Sequence, residues 1–360
     1  MTNSADSINT RLDATIRADV RAMTRYPVAD ASGYIKLDAM ENPYVLPAHL
    51  QTELGERLAK VLINRYPVPD YKALKARVCE KLGVPAGFDV MLGNGSDEVI
   101  TIMIQAMAGG TVMCMAPTFV MFEIGAKLNR TPFVGIPLNP DFTLNMPAMR
   151  EAIAHHQPKL IFVVNPNNPT GNLFHDADIE EIVRLAPGLV VIDEAYVPFA
   201  LHTWMPRLKE FPQLAVMRTV SKIGLAGIRL GYVAAAEAWL NEFEKVRPPY
   251  NLNVLTEEAA KFALDHLDVL NEQAAKLRSE RDSLTAALRQ IKGLEVFPSM
   301  ANFVLVRAKD GPALNQKLKA EKILIKDCHK MHPMLNNCLR LSVGSPEQNS
   351  AMLAALSKHV

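Results

Sequence analysis

The sequence predicts an α/β protein, a large domain built on a mostly parallel sheet with a smaller domain after it. Three observations carry that expectation. At 360 residues the chain exceeds the size at which a single hydrophobic core stops growing. Between residues 90 and 235, short apolar runs that end in turn residues alternate with longer helical patterns, the order expected of strands joined by crossover helices. After Arg247-Pro248-Pro249-Tyr250 the texture changes to long charged helical segments such as Glu257 to Arg289, which puts a domain boundary there.

In chain order, Ile8, Leu12, Ile16, Val20 and Met23 recur at helical steps and predict an amphipathic helix or arm, and the N-terminus lacks the apolar core of a signal peptide. The most apolar stretch, Val99 to Met115, is split by Gly109-Gly110 and carries Gln105. It falls short of the roughly 18 uninterrupted apolar residues of a membrane span and reads as helix, turn and strand. Strands are expected at Val112 to Met115, Leu160 to Val164, Leu189 to Ile192, Leu214 to Met217 and Leu230 to Ala234. Three of them run into Ala116-Pro117, Asn165-Pro166 and Asp193-Glu194, so polar residues collect beyond the carboxyl ends of strands, where α/β proteins bind ligands. Ser345-Pro346-Glu347-Gln348 combines an N-cap serine, a first-turn proline and a glutamine at the third helical position, predicting a C-terminal helix.

An apolar content of 49%, 21% charged residues and a formal net charge of +1 describe a soluble globular chain with no basic excess for nucleic acid or anionic lipid. No basic helix-turn-helix region is visible, which argues against a DNA-binding regulator. Cys79, Cys114, Cys328 and Cys338 are irregularly spaced and read as buried thiols in a reducing, cytoplasmic compartment. Cys328, His329, His332 and Cys338 are zinc-type residues, but their spacing fits no common template and Pro333 interrupts it, so no metal is expected. The 17 methionines read as adaptable core filler.

Three segments carry chemistry: Asn165-Pro166-Asn167-Asn168-Pro169-Thr170-Gly171, then Val191-Ile192-Asp193-Glu194-Ala195-Tyr196, then Thr219-Val220-Ser221-Lys222 running on to Arg229. A lysine can form a Schiff base with an aldehyde, a carboxylate can hold a pyridine nitrogen protonated, and asparagine and tyrosine can hydrogen-bond a phenolic oxygen. Together these are the requirements of pyridoxal phosphate. Asp193 lies 25 residues after Asn168, and Lys222 lies 29 after Asp193, spacings that let successive strand ends converge on one pocket. Gly93-Asn94-Gly95-Ser96-Asp97-Glu98 precedes an apolar helical run, so its amides would sit at a helix N-terminus suited to a phosphate dianion, with Ser221 and Arg229 completing the cradle. The competing reading, the dinucleotide fingerprint of a dehydrogenase, lacks its third glycine, which is Glu98 here. Taken singly, each residue has a plainer explanation: a surface lysine, a strand-end aspartate capping a turn, a proline-rich loop. Their conjunction favours a site.

These motifs resemble those of the fold-type I pyridoxal phosphate aminotransferases, in particular their histidinol-phosphate aminotransferase branch, from about Tyr26 to the C-terminus. The resemblance implies a mostly parallel central sheet with helices on both faces and a smaller α+β domain. The implied division is an N-terminal arm with part of the small domain over 1–44, a large cofactor domain over 45–247 and a small domain over 248–360. Lys222 would be the Schiff-base lysine, Asp193 the partner of the pyridine nitrogen, and Asn168 and Tyr196 the partners of the phenolic oxygen. Gly95, Ser96, Asp97, Ser221 and Arg229 would surround the phosphate. Phe119 would stack on the ring where a tyrosine is common. Tyr66, in Asn64-Arg65-Tyr66-Pro67, matches a tyrosine that reaches the neighbouring subunit's cofactor phosphate, which implies a homodimer with shared active sites. Substrate contacts would come from Arg340, a lid-like Tyr26, Asn42, and Lys326 where a second arginine is frequent; Met40 stands where asparagine is frequent. The implied reaction is a ping-pong transamination of histidinol phosphate with 2-oxoglutarate. An aromatic amino acid aminotransferase and a decarboxylase of a phosphorylated amino acid stay open as alternatives.

Overall fold

The computed structural model describes residues 4–360 apart from 69 and 108. It divides into two compact units, Met1–Gly33 and Tyr34–Val360. The first contains helices Ser4–Thr15 and Ala18–Arg21, with Ile8, Leu12 and Ile16 exposed.

The second unit holds two sheets. Its strands are β1 (Ile35–Leu37), β2 (Asp89–Asn94), β3 (Val112–Ala116), β4 (Phe133–Pro137), β5 (Leu160–Val164), β6 (Leu189–Asp193), β7 (Leu214–Thr219), β8 (Leu230–Ala235), β9 (Glu295–Val296), β10 (Phe303–Arg307), β11 (Ile323–Asp327) and β12 (Cys338–Ser342). The larger sheet has the order β2-β8-β7-β6-β5-β3-β4. From β7 to β4 its strands run parallel, while β8 is antiparallel to both β7 and β2. All five expected strands are present, each with its expected start. β5 and β6 are buried at every residue, which is why they read as unbroken apolar runs rather than alternating ones. At about 1.5–3 kcal/mol per fully buried aliphatic side chain, such strands supply much of the core energy.

The smaller sheet has the order β1-β11-β12-β10-β9, with β1 parallel to β11 and the remaining pairs antiparallel. β1 therefore attaches the segment that follows it, Asp38–Glu41, to the small sheet. The Glu257 to Arg289 stretch is two helices, Val254–Asp265 and Leu267–Leu288, separated at His266. The first packs on helices Ala48–Ala59 and Lys72–Leu82 beside the large sheet; the second packs on the C-terminal helix and on the turn that carries Lys222. The C-terminal helix Pro346–His359 has the expected capping box: Gln348 N donates to Ser345 Oγ at 3.3 Å, and Ser345 N donates to Gln348 Oε1 at 3.0 Å. Among the described residues, no helix is long and apolar enough to cross a membrane.

Candidate active site

The carboxyl ends of β5, β6 and β7 open into a cavity of about 360 Å³. Its walls bring together nine of the residues singled out from sequence: Ser96, Asp97, Phe119, Asn168, Asp193, Tyr196, Ser221, Lys222 and Arg229. They arrive from several separate elements, with Ser96 and Asp97 sharing a helix and Ser221 and Lys222 sharing a turn, as strands ending on one edge allow.

Asp193 ends β6 and is buried, with its Oδ1 accepting from Ala195 N at 3.0 Å. Burial pushes its carboxyl up to about 7, the Ala195 amide opposes this, Asp97 and Glu194 add to it, and Lys222 pulls it back. Lys222 follows β7 on a π-helical turn, Ser221–Leu225, that closes at Gly224 with φ of 134°. Its Nζ donates to the Ala39 carbonyl at 3.0 Å. Desolvation brings the lysine down to about 8, helped by Arg340 and Arg229 and resisted by Glu41 and Asp97. A buried carboxyl of raised pKa and an amine of lowered pKa thus share one cavity. Such displaced values suit proton transfer and imine chemistry near neutral pH.

The Asn165–Gly171 loop is buried, and its polar groups are satisfied internally. Asn167 Nδ2 donates to Pro117 O at 3.0 Å and Thr170 Oγ1 at 2.8 Å, its Oδ1 accepts from Thr118 Oγ1 at 2.7 Å, and Asn165 Oδ1 accepts from Phe174 N at 2.9 Å. Asn165 and Asn167 are therefore scaffold, leaving Asn168 to face the cavity. Its Oδ1 accepts from Arg340 Nη1 at 2.5 Å, while Arg340 Nη2 donates to Asp38 O at 2.8 Å. Arg340 Nε is buried without a partner. A buried guanidinium with a spare donor is the residue type and state that an anionic ligand group would complete. Tyr196 donates its hydroxyl to Met40 Sδ at 3.4 Å, and burial raises its phenol above the usual range.

Two glycines shape the approach to the N-terminus of helix Ser96–Ala106. Gly231 on β8 lies so close to the start of helix Ser96–Ala106 that a Cβ there would stand 2.4 Å from Ser96 N. Gly95 has φ of +79°, and a Cβ on it would meet Arg229 Nη2 at 2.6 Å. Arg229 Nη2 pairs with Asp97 Oδ2 at 3.4 Å. The helix N-terminus, Ser221 and this guanidinium form a concave donor set of the kind a phosphate dianion fills.

The other expected residues lie elsewhere. Lys326 is the cross-strand partner of Arg340, so the two share a face of the small sheet. Asn42 is outside the cavity lining: its Nδ2 donates to Ile223 O at 3.0 Å and Gln273 Oε1 at 2.8 Å, bracing the lysine turn. Tyr66 is 80% exposed and stacks on Tyr250 with ring centroids 4.7 Å apart, in a surface groove separate from the cavity. Tyr26 belongs to the first unit, where it is exposed. Among the described residues no group of three or more His, Cys, Asp or Glu side chains is placed to hold a metal ion. His329 and His332 instead accept from the amides of Asn337 and Met334 in the β11–β12 connection. The sequence reading passed over Ala39, Glu41, Val164 and Thr219, which also line the cavity. Of these only Thr219 had a signal, its place two residues before Ser221; its Oγ1 accepts from Ser221 N at 3.1 Å.

A lysine, a buried carboxylate, amide and phenol groups and a concave set of anion donors around one cavity fit pyridoxal phosphate, and the relatives of the chain make it a transaminase dependent on that cofactor. The chain belongs to the class I and II aminotransferase family, whose model matches residues 32–356. It is 56% identical over 344 residues to histidinol-phosphate aminotransferase 1 of Burkholderia lata, covering 95% of this chain and 96% of that one. Its fold matches the histidinol-phosphate aminotransferase of Clostridium acetobutylicum with a TM-score of 0.83 at 24% identity, over 90% of this chain and 98% of that one. It likewise matches that of Sinorhizobium meliloti, solved in complex with pyridoxal-5'-phosphate, with a TM-score of 0.83 at 22% identity over 96% and 97% of the two chains.

Proposed function

We infer that this aminotransferase takes the amino group of histidinol phosphate and passes it to 2-oxoglutarate, giving imidazole acetol phosphate and glutamate in histidine biosynthesis in the cytoplasm. The observation that carries the reading is Arg340, a buried cation with an unpartnered Nε, hydrogen-bonded to Asn168 and set beside Lys326. One such cation can accept a phosphate monoester from the first substrate and a carboxylate from the second in turn. The name of the Burkholderia relative supplies the substrate.

Pyridoxal phosphate supplies an electrophilic carbonyl and an electron sink. In this reading Lys222 holds it covalently through Nζ, and Asp193 keeps its nitrogen protonated. Asn168 and Tyr196 hydrogen-bond its phenolic oxygen, and Phe119 packs on its ring. Gly95, Ser96, Asp97, Ser221 and Arg229 surround its phosphate. Lys222 Nζ, when free, would take the proton from the substrate's α-carbon, a task its lowered basicity suits. Residues 45–247 and 248–360 act as large and small domains with 1–44 as arm and edge, and Tyr26 serves as a lid. Borohydride reduction of the yellow protein is expected to fix the cofactor on Lys222, read by peptide mass spectrometry. A two-substrate assay is expected to show glutamate and no carbon dioxide formed from histidinol phosphate with 2-oxoglutarate, and little from phenylalanine or tyrosine. Turnover of the aromatic acids alone would move the assignment to an aromatic aminotransferase, and release of carbon dioxide would move it to a decarboxylase.

The same reading makes the enzyme a homodimer with Tyr66 of each protomer reaching its partner's cofactor phosphate. The support is the run of exposed apolar side chains Leu62, Ile63, Tyr66 and Val68, of which Ile63 and Tyr66 share a surface groove with the exposed Tyr250. Exposed apolar side chains of this size gathered together mark an interface. Tyr66→Phe is expected to weaken cofactor binding roughly tenfold to 100-fold, as loss of one hydrogen bond to a charged group does, while sedimentation still reports a dimer. A monomeric wild type, or unchanged affinity, would rule the shared site out.

A further inference from the structure

Directly behind Asp193 the large sheet carries a buried ion pair that the chemistry above does not use. Glu194, 1% exposed, is held by Arg218 Nε at 2.9 Å and Nη2 at 2.8 Å. Its other oxygen, Oε1, accepts from Thr203 Oγ1 at 3.0 Å and from Trp204 N. Arg218 donates further to Thr203 Oγ1, the Leu82 carbonyl and the Tyr232 hydroxyl, at 2.7, 2.9 and 3.4 Å. Glu194 N also continues the β6–β7 ladder by donating to Met217 O at 2.8 Å. Asp193 lines the main cavity while Arg218 lines a separate small cavity with Leu82, Val220 and Tyr232, and Thr219, at the end of β7, borders both.

The location matters because of what lies next along each strand. Glu194 is the residue after Asp193, and Arg218 precedes Lys222 by only four positions. We propose that Glu194 and Arg218 are positioning residues: the pair clamps the end of β6 to the end of β7, fixing Asp193 against Lys222, and Arg218 cancels the negative charge that Glu194 would otherwise present to Asp193. The proposal rests on the reading that pyridoxal phosphate lies between Asp193 and Lys222. The charged groups around Asp193 are Asp97, Glu194 and Lys222, of which the first two favour its protonated form and the third its ionised form. Tyr232, with Cys79 beyond it, completes the titratable surroundings of Arg218. Arg340, Arg229, Glu41 and Asp97 act on Lys222 from the cavity side and are the same in every variant, so in this water-poor region removing one member of the pair adds the other's uncompensated field to a fixed background.

The test is the pH midpoint of the bound cofactor's visible absorption in the holoenzyme, with cofactor affinity measured alongside. Glu194→Gln keeps the shape and leaves Arg218 positive, which disfavours protons in the site; the midpoint is expected to fall by roughly half a unit or more. Arg218→Met leaves Glu194 negative, and the midpoint is expected to rise by a similar amount. Arg218→Lys keeps the charge and is expected to titrate like wild type. A purely structural pair would not give opposite signs, so unchanged midpoints, or shifts in the same direction, overturn the proposal. Should Arg218→Met not fold, Glu194→Gln against Arg218→Lys decides: a drop in the first alone supports the role, and no drop removes it. Borohydride labelling of the wild type keeps the two levels apart. A label away from Lys222 overturns the reading beneath the proposal, whereas wild-type midpoints with the label on Lys222 overturn the role of the pair alone.

Discussion

Lys222→Ala is expected to lower kcat by roughly 10⁴-fold or more and to abolish borohydride labelling, because one Nζ is asked to perform two tasks. General acid–base contributions alone run to about 10²–10⁴-fold, and loss of the covalent anchor adds to that. The geometry says why this lysine is suited to both. Set on a turn at the end of β7, with its Nζ against Ala39 O, it is desolvated enough that its pKa falls from 10.5 to about 8. At pH 8 roughly half of it is neutral, against roughly one in 300 for an ordinary lysine. Lys222→Arg preserves positive charge and bulk but offers no amine that can condense, so it is expected to fail equally. The alanine variant leaves room for a small added amine, and methylamine is expected to restore part of the proton-transfer rate there and not in the arginine variant. Steady-state kcat within tenfold of wild type for either variant would displace Lys222 from the centre of the mechanism.

How much of this was legible in the chain follows from where each part stores its information. The five central strands could be read because strands covered on both faces carry near-continuous apolar runs, whether parallel as in β3, β5, β6 and β7 or antiparallel as in β8. β4 gave no such signal: it lies at the sheet edge, is only partly buried and contains Gly135 and Pro137. β2 was hidden for a similar reason, beginning at exposed Asp89 and ending at exposed Asn94. Within the site, Lys222, Asp193 and Asn168 announced themselves through residue type and spacing. Ala39 was invisible because it acts through a carbonyl that every residue carries. Asn42 looked like a substrate contact, yet its amide faces Ile223 O and Gln273, contacts 181 and 231 residues away that no local pattern encodes. Glu194 and Arg218 are a pair only because β6 and β7 are neighbours in the sheet.

Asp193→Asn is expected to stabilise the cofactor-free protein while disabling the enzyme, and the sign follows from proton linkage. The folded state holds the Asp193 proton with a pKa of about 7, chiefly through burial, against 3.8 for the free group. Between those values the folded protein binds more protons than the unfolded chain, so this group's contribution to stability falls as pH rises from about 4 to about 7 and stays low above. A shift of about three units corresponds to about 4 kcal/mol. Asparagine carries no charge and avoids that penalty. Because it is a weaker acceptor for Ala195 N and loses its attraction to Lys222, the net gain expected at pH 8 is about 2–3 kcal/mol. At pH 4, where Asp193 is protonated in the fold and about half so when unfolded, the gain should vanish. Lys222 has its own linkage, with stability rising between pH 8 and 10.5, a window that a comparison at pH 4 and 8 avoids. Added cofactor is expected to reverse the order, since a protonated pyridine nitrogen satisfies the carboxylate and not the amide, and kcat is expected to drop by roughly 10³-fold. Denaturant titrations of the apo proteins at the two pH values, with and without pyridoxal phosphate, read all of this. An equal stability difference at pH 4 and pH 8 would mean that Asp193 is not the strained buried acid on which the electron-sink role depends.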